Sequence, residues 1–146
     1  MDKQAEQLVN DGIAALKAGR TPQALECFEA AAELDQSPEL LSNLAYCLAK
    51  ERRDFPRAVA LCNDAILDEP RNSLHYLNLG RIHLLEDRRL DAIRVFRDGL
   101  LHEANPLIRD ELQKLGTRKY PVIASLPREH RVNIFLGRLF TKLRLR

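Results

Sequence analysis

The chain has 146 residues, of which 45% are hydrophobic and 30% charged, with eight aromatic residues and no tryptophan. This length suits one domain with a real core, and no apolar run approaches the ~20 residues needed to cross a bilayer. Residues 1–6 lack the basic start and apolar core of a secretion signal. The three cysteines are an odd number without a C-x-x-C pair, which favours reduced thiols. We therefore expect an all-helical protein in the cytoplasm.

The net charge of +2 is unevenly distributed along the chain. Residues 1–113 are net −6, whereas residues 114–146 are net +8 and contain a single acid, Glu129. A basic tail on an acidic body has three natural targets, which are the body itself, an anionic lipid surface and nucleic acid.

Three sets of residues recur with a spacing of 34 along the first two thirds of the chain. They are Ala24, Ala58 and Ala92; Phe28, Cys62 and Phe96; and Ala31, Ala65 and Gly99. Within each unit, a small, a larger and a second small residue lie on one helical stripe, so that a neighbouring helix can approach closely. A preceding helix carries small residues at Gly12 and Gly80, and Gly19, Thr21 and Pro22 are typical of a helix end followed by a helix start.

This spacing predicts seven helices, each bounded by Gly, Pro or a capping residue. They lie near residues 3–18, 21–34, 38–50, 55–68, 72–86, 89–103 and 106–115.

The pattern resembles the tetratricopeptide repeat family, which has Leu-Gly in the first helix of a unit, Ala-Phe-Ala in the second and often Pro between units. Leu79-Gly80 and Pro70 match it, and the resemblance covers roughly residues 5–106. It implies an all-α fold, a right-handed superhelical array of three helical hairpins with a capping helix. It also implies a scaffold or adaptor that binds a protein or peptide on its inner, concave face, and we expect neither an enzyme nor a cofactor.

The second unit departs from the strict repeat. A constant spacing of 34 places Tyr46 at the small position held by Gly12 and Gly80, where a large ring would force the helices apart. Sliding the helix by one residue places Leu44-Ala45 there instead. We therefore predict this slip, with the extra residue in the turn at residues 51–54.

The predicted organisation is an array with its capping helix at 1–116, an extended Pro-containing linker at 117–130, and a basic amphipathic helix at 131–146. The apolar stripe of this C-terminal helix comprises Val132, Phe135, Leu136, Leu139, Phe140 and Leu143. Arg131, Arg138 and Lys142 line one flank of the stripe. A helix this short needs a surface on which to fold.

The resemblance places the first helix of each hairpin on the concave face, which here is unusually apolar. The predicted partner-binding residues are Val9, Ile13, Leu16, Tyr46, Leu74, Leu77, Arg81, Leu84 and Leu85. Arg81 has two interpretations, a contact with one acidic side chain and a solvated side chain, and we favour the second. Some members of the family hold C-terminal carboxylates with Lys, Asn and Arg at positions that match Val9, Ile13, Asn43, Leu74 and Asn78. Only Asn43 fits that pattern, which disfavours this class of partner.

The C-terminal helix leaves several functions open. It fills the groove, either within one chain or between two copies as a homodimer, or it docks on anionic lipid and makes the protein a peripheral membrane adaptor. Nucleic acid is less favoured, because exposed aromatics are not interleaved with the basic residues. The remaining alternative is a disordered tail or one that only adds solubility. The histidines never recur at i,i+3 or i,i+4, so the sequence predicts no metal site.

Overall fold

The computed structural model describes residues 2–116 and 131–142, and these form eight helices. They are α1 (Lys3–Lys17), α2 (Thr21–Ala32), α3 (Pro38–Arg52), α4 (Phe55–Asp68), α5 (Ser73–Leu85), α6 (Arg89–His102), α7 (Pro106–Gly116) and α8 (Arg131–Lys142). The first seven match the predicted helices, with ends that differ by no more than two residues. The predicted linker 117–130 and residues 143–146 lie outside the described residues.

The first six helices form three hairpins that stack in chain order. Each hairpin pairs an inner helix with an outer one, α1 with α2, α3 with α4 and α5 with α6. The outer helices α2 and α4 pack against the next inner helix, and α3 also packs directly against α5. The predicted all-α array of three hairpins is confirmed. α8 belongs to a second compact unit and is described by itself below.

Hairpins one and three cross on a glycine that faces a phenylalanine ring. A Cβ added to Gly12 would lie 2.6 Å from Cε1 of Phe28, and one added to Gly80 would overlap the ring of Phe96. Both rings are fully buried. Because real side chains do not approach so closely, only glycine allows these crossings.

Hairpin two crosses on an alanine, as the predicted slip requires. Ala45 is fully buried in one cluster with Ala58 and Cys62, whereas Tyr46 stays partly exposed. The prediction that the extra residue lengthens the turn is wrong. α3 continues through Arg52, and the turn to α4 contains only Arg53 and Asp54. The added residue extends a helix instead, which retains its backbone hydrogen bonds.

The turns inside the hairpins share one backbone feature. Gly19, Arg53 and Asp87 have positive φ angles of 73°, 56° and 61°. A left-handed residue after the last turn of a helix redirects the chain, and glycine adopts it without strain. Asp54 then accepts a hydrogen bond from the backbone N–H of Arg57 and thereby caps α4.

Helix α7 covers the open side of hairpin three. Ile108 is fully buried, and a Cβ on Gly99 would lie 2.9 Å from its Cδ1 and 2.7 Å from Cβ of Tyr76. The side chain of Asn105 caps α7 by accepting from the N–H groups of Leu107 and Ile108. This agrees with the predicted role of α7 as the terminal cap of the array.

The thiols of the array are packing groups. Cys47 and Cys62 are buried and unbridged, and burial raises the pKa of each to about 12. They therefore remain protonated and behave as small apolar side chains.

Within residues 2–116 and 131–142, the model contains no helix with the length and apolar composition that crossing a bilayer demands.

Candidate functional site: a concave apolar groove

The inner helices and α7 enclose an open groove of about 670 Å³ on the concave side of the array. Helix α5 is buried on most sides, and its leucines Leu74, Leu84 and Leu85 stay partly exposed on the groove. The groove is lined by Ile13, Leu16, Lys17, Gly19, Thr21, Glu39, Asn43, Tyr46, Lys50, Leu74, Leu77, Asn78, Arg81, Leu84, Leu85, Leu107 and Glu111.

Eight of the nine predicted partner-binding residues line this groove, and Val9 is the exception. Val9 is buried in the core of hairpin one, in a cluster with Leu25 and Phe28. It lies one turn before Ile13 on the same face of α1, but Val9 is covered whereas Ile13 stays partly exposed. Val9 therefore does not lie on the groove, in contrast to the prediction that it contacts a partner.

The floor of the groove contains a short polar ladder between α3 and α5. The amide of Asn78 donates to Oγ of Ser42 at 3.0 Å and to Oδ1 of Asn43 at 3.2 Å. All three side chains are buried. These bonds provide partners for polar groups that would otherwise be buried without a hydrogen bond, and they hold α3 against α5.

Arg81 is held by two neighbours, and the expectation that it is solvated is wrong. Its Nε donates to Oε1 of Glu111 at 2.9 Å, and its Cζ lies 5.8 Å from the ring centroid of Tyr46. Nζ of Lys50 lies 5.8 Å from the same centroid. Tyr46 therefore stands between two cations in the groove, a stabilising arrangement for an aromatic face.

The structure adds nine lining residues that the sequence did not predict as contacts. They are Lys17, Gly19, Thr21, Glu39, Asn43, Lys50, Asn78, Leu107 and Glu111. Lys17 and Lys50 lie in the last turns of α1 and α3, and Glu39 lies in the first turn of α3. A search along the groove face at three- and four-residue steps from Ile13 and Tyr46 would have found both lysines.

Helix α8 presents an apolar stripe beside basic residues. Phe135 is 66% exposed, Val132 and Leu139 are 41% and 37% exposed, and Leu136 is partly exposed. The basic flank, Arg131, Arg138 and Lys142, is exposed. The side chain of Phe140 and all of Leu143 lie outside the described residues.

The family model described as "Tetratricopeptide repeat" matches residues 10–69 of this chain. The matched stretch covers the glycine crossing of hairpin one and the alanine crossing of hairpin two. Residues 10–69, which make up less than half of the chain, are thus similar to the tetratricopeptide repeat family.

Several solved tetratricopeptide repeat domains share this fold. The Arabidopsis OM64 domain is 24% identical, with a TM-score of 0.63, and the match covers 79% of this chain and 96% of that one. The first domain of Spaghetti (RPAP3), bound to the HSP90 peptide SRMEEVD, is 22% identical with a TM-score of 0.62, over 79% and 94% of the two chains. The second domain of human RPAP3, in complex with the HSP70 peptide SGPTIEEVD, is 25% identical with a TM-score of 0.59, over 80% and 97%. A search of curated proteins found no match.

Of the five positions that were matched above to a carboxylate clamp, only Asn43 holds the residue type that the clamp has at that position. Val9 is buried, Ile13 and Leu74 contribute apolar groove surface, and Asn43 and Asn78 bond to each other. The cations that line the groove are Lys17, Lys50 and Arg81.

Proposed function

We propose that this protein is a cytoplasmic adaptor whose concave groove binds a segment of another polypeptide through apolar contacts. The observation that carries the proposal is the groove itself, which is open to solvent yet has six leucines and one isoleucine among its seventeen lining residues. An exposed apolar surface of this kind normally has a partner. Free, buried thiols fit a reducing compartment.

The structurally similar domains support the proposal. Two of them are described as bound to short HSP90 or HSP70 peptides. A stack of three hairpins is therefore large enough to hold a peptide. The apolar lining of this groove favours partners that bury leucine-like side chains, each of which contributes roughly 1.5–3 kcal/mol when fully buried.

A matched pair of variants tests the proposal. Leu84→Glu/Leu85→Glu places charge in the groove, whereas Leu67→Glu/Leu101→Glu places the same charge on the outer helices, at leucines that are 79% and 82% exposed. A partner selected from a peptide library by the full chain should lose binding to the first variant and keep binding to the second. Equal binding to both variants would place the partner elsewhere.

A second candidate function is regulation by the chain's own C-terminal helix. The exposed apolar stripe of α8 and the apolar groove are two surfaces of the same kind, which favours α8, from the same chain or from a second copy, as an occupant of the groove. Amide exchange on the full chain tests this idea. In Leu84→Glu/Leu85→Glu, residues 131–142 should exchange faster than in Leu67→Glu/Leu101→Glu. If exchange there is equal in both variants and in the unmodified chain, α8 does not use the groove. Light scattering separates a monomer from a dimer.

A third candidate, docking on a membrane surface, is favoured by the basic residues beside the stripe of α8. Each basic residue near anionic lipid contributes about 1 kcal/mol. The full chain should then sediment with phosphatidylserine vesicles at low salt and be released at high salt. No sedimentation at low salt would exclude this function.

A further inference from the structure

The inner helices place equivalent residues in rows across the groove, because the three hairpins repeat. The row one position after the small crossing residue contains Ile13, Tyr46 and Arg81, and the row five positions after it contains Lys17, Lys50 and Leu85. The second row runs along the carboxyl ends of the inner helices. It is cationic on hairpins one and two and apolar on hairpin three.

The two lysines of this row are exposed cations without a partner in the described part of the chain. Lys17 and Lys50 form no ion pair there. They lie in the last turns of their helices, where the helix dipole favours a positive charge. The ring of Tyr46 lies beside the ammonium of Lys50 and helps to hold it on the groove side of α3.

The remaining charges of the groove leave this end positive. Glu111 is already paired with Arg81 at 2.9 Å. Glu39 lies in the first turn of α3, at the other end of that helix from Lys50. The groove is therefore polarised, with uncompensated positive charge at the carboxyl ends of α1 and α3.

Hairpin three supplies the complementary apolar half. Leu74, Leu77, Leu84 and Leu85 line the groove from α5, and Leu107 adds to them from α7. An occupant that spans the groove thus meets lysines over hairpins one and two and leucines over hairpin three.

We infer that the occupant of the groove is a segment of another polypeptide that combines leucine-like side chains with acidic side chains. The apolar side chains lie on α5, and the carboxylates face Lys17 and Lys50. This inference rests on the proposed function. Charge complementarity selects this chemistry over the chain's own C-terminal helix, since residues 131–142 contain arginine and lysine but neither Asp nor Glu.

Three synthetic peptides of about 16 residues test the inference on the full chain. All carry the same leucine stripe at i, i+3, i+4 and i+7, have blocked ends, and differ only in bearing Glu, Gln or Lys beside the stripe. Fluorescence anisotropy gives the three affinities. The Glu peptide should bind about tenfold more tightly than the Gln peptide, with the Lys peptide weakest, and the difference should shrink in high salt.

A charge-reversal variant and its control locate the effect. Lys17→Glu/Lys50→Glu should abolish the preference for the Glu peptide and favour the Lys peptide. Arg57→Glu/Arg97→Glu changes the net charge equally at exposed positions of the outer helices and should retain the order of the unmodified chain. Melting curves confirm that each variant is folded, and Lys50→Gln provides a milder form of the same change.

The outcomes separate the inference from the proposed function. If the Glu and Gln peptides bind equally well, or if both double variants change the preference alike, the acidic specificity is wrong while apolar binding in the groove stands. If none of the three peptides binds, apolar recognition in the groove fails and the proposed function fails with it.

Discussion

Hairpins one and three differ from hairpin two in how their helices cross. In hairpins one and three a glycine faces a phenylalanine ring, whereas in hairpin two Ala45 packs in the same cluster as the smaller Cys62. The smallest residue is thus combined with the largest partner, and the slightly larger alanine is combined with a smaller partner.

The one-residue slip in hairpin two has a consequence for the groove. The residue after the small position is Ile13 in hairpin one, Tyr46 in hairpin two and Arg81 in hairpin three. The one-residue slip that brings Ala45 into the crossing also moves Tyr46 out of it and onto the concave face. The need for a small residue at the crossing thereby places an aromatic ring in the groove. Lys50 and Arg81 lie beside this ring.

The largest difference between the two kinds of crossing should appear on truncation. Phe96→Ala removes a fully buried ring and should lower the free energy of unfolding by about 3–5 kcal/mol. Cys62→Ala removes one sulfur atom and should cost about 1 kcal/mol. Urea unfolding measures both changes, and similar losses of unfolding free energy would contradict the difference between the two kinds of crossing.

Overpacking tests the register of the outer helices. Ala92 is fully buried where α6 crosses α5, so Ala92→Leu should lose roughly 1–3 kcal/mol. An unchanged melting curve for this variant would argue against the placement of Ala92 at a close crossing.

Exchanging the small residues sharpens the comparison further. Gly80→Ala directs a methyl group into the ring of Phe96 and should cost about 1–3 kcal/mol. Ala45→Gly removes a methyl group and adds backbone freedom, which should cost about 0.5–1 kcal/mol. Both values come from thermal or urea unfolding, and the reverse order would show that the two crossings do not differ as described.

Acid should weaken the junctions around hairpin three. Hydrogen bonds from Ser73 lower the pKa of Glu103 below its usual 4.5, and bonds from Asn72 and then His75 lower the pKa of Glu69. A lowered carboxyl pKa contributes stability above about pH 4.5 that is lost as the pH falls through the lower value. The melting temperature should therefore drop below that pH, and less so in Glu103→Gln. An equal drop in that variant would assign the effect to other groups.

Much of the array could be predicted from its sequence because small and large residues recur at fixed positions in each repeat. The 34-residue spacing of Ala24, Ala58 and Ala92 and the Pro and Gly residues at helix ends sufficed for the seven helices. The extra residue was misplaced because a helix and a turn accommodate an insertion at similar cost, and sequence alone does not separate them.

The groove was predictable to a lesser degree, since a lining position depends on how neighbouring helices rotate. The spacing of apolar residues identified the leucines of the groove, but it also included Val9, which is buried in the core of hairpin one. The pairing of Arg81 with Glu111 joins residues 30 positions apart and depends on where α7 lies. No local pattern encodes such a contact.

The central claim is that the concave groove, and no outer surface, receives the partner. Because the chain has no tryptophan, one introduced residue reports on one place. Tyr46→Trp puts this reporter in the groove, and Leu101→Trp puts it on an outer helix. On addition of the acidic leucine peptide, the account predicts that the emission of Tyr46→Trp moves to shorter wavelength while that of Leu101→Trp stays unchanged. A shift at Leu101→Trp alone, or no shift at Tyr46→Trp under conditions in which anisotropy shows binding, would contradict it.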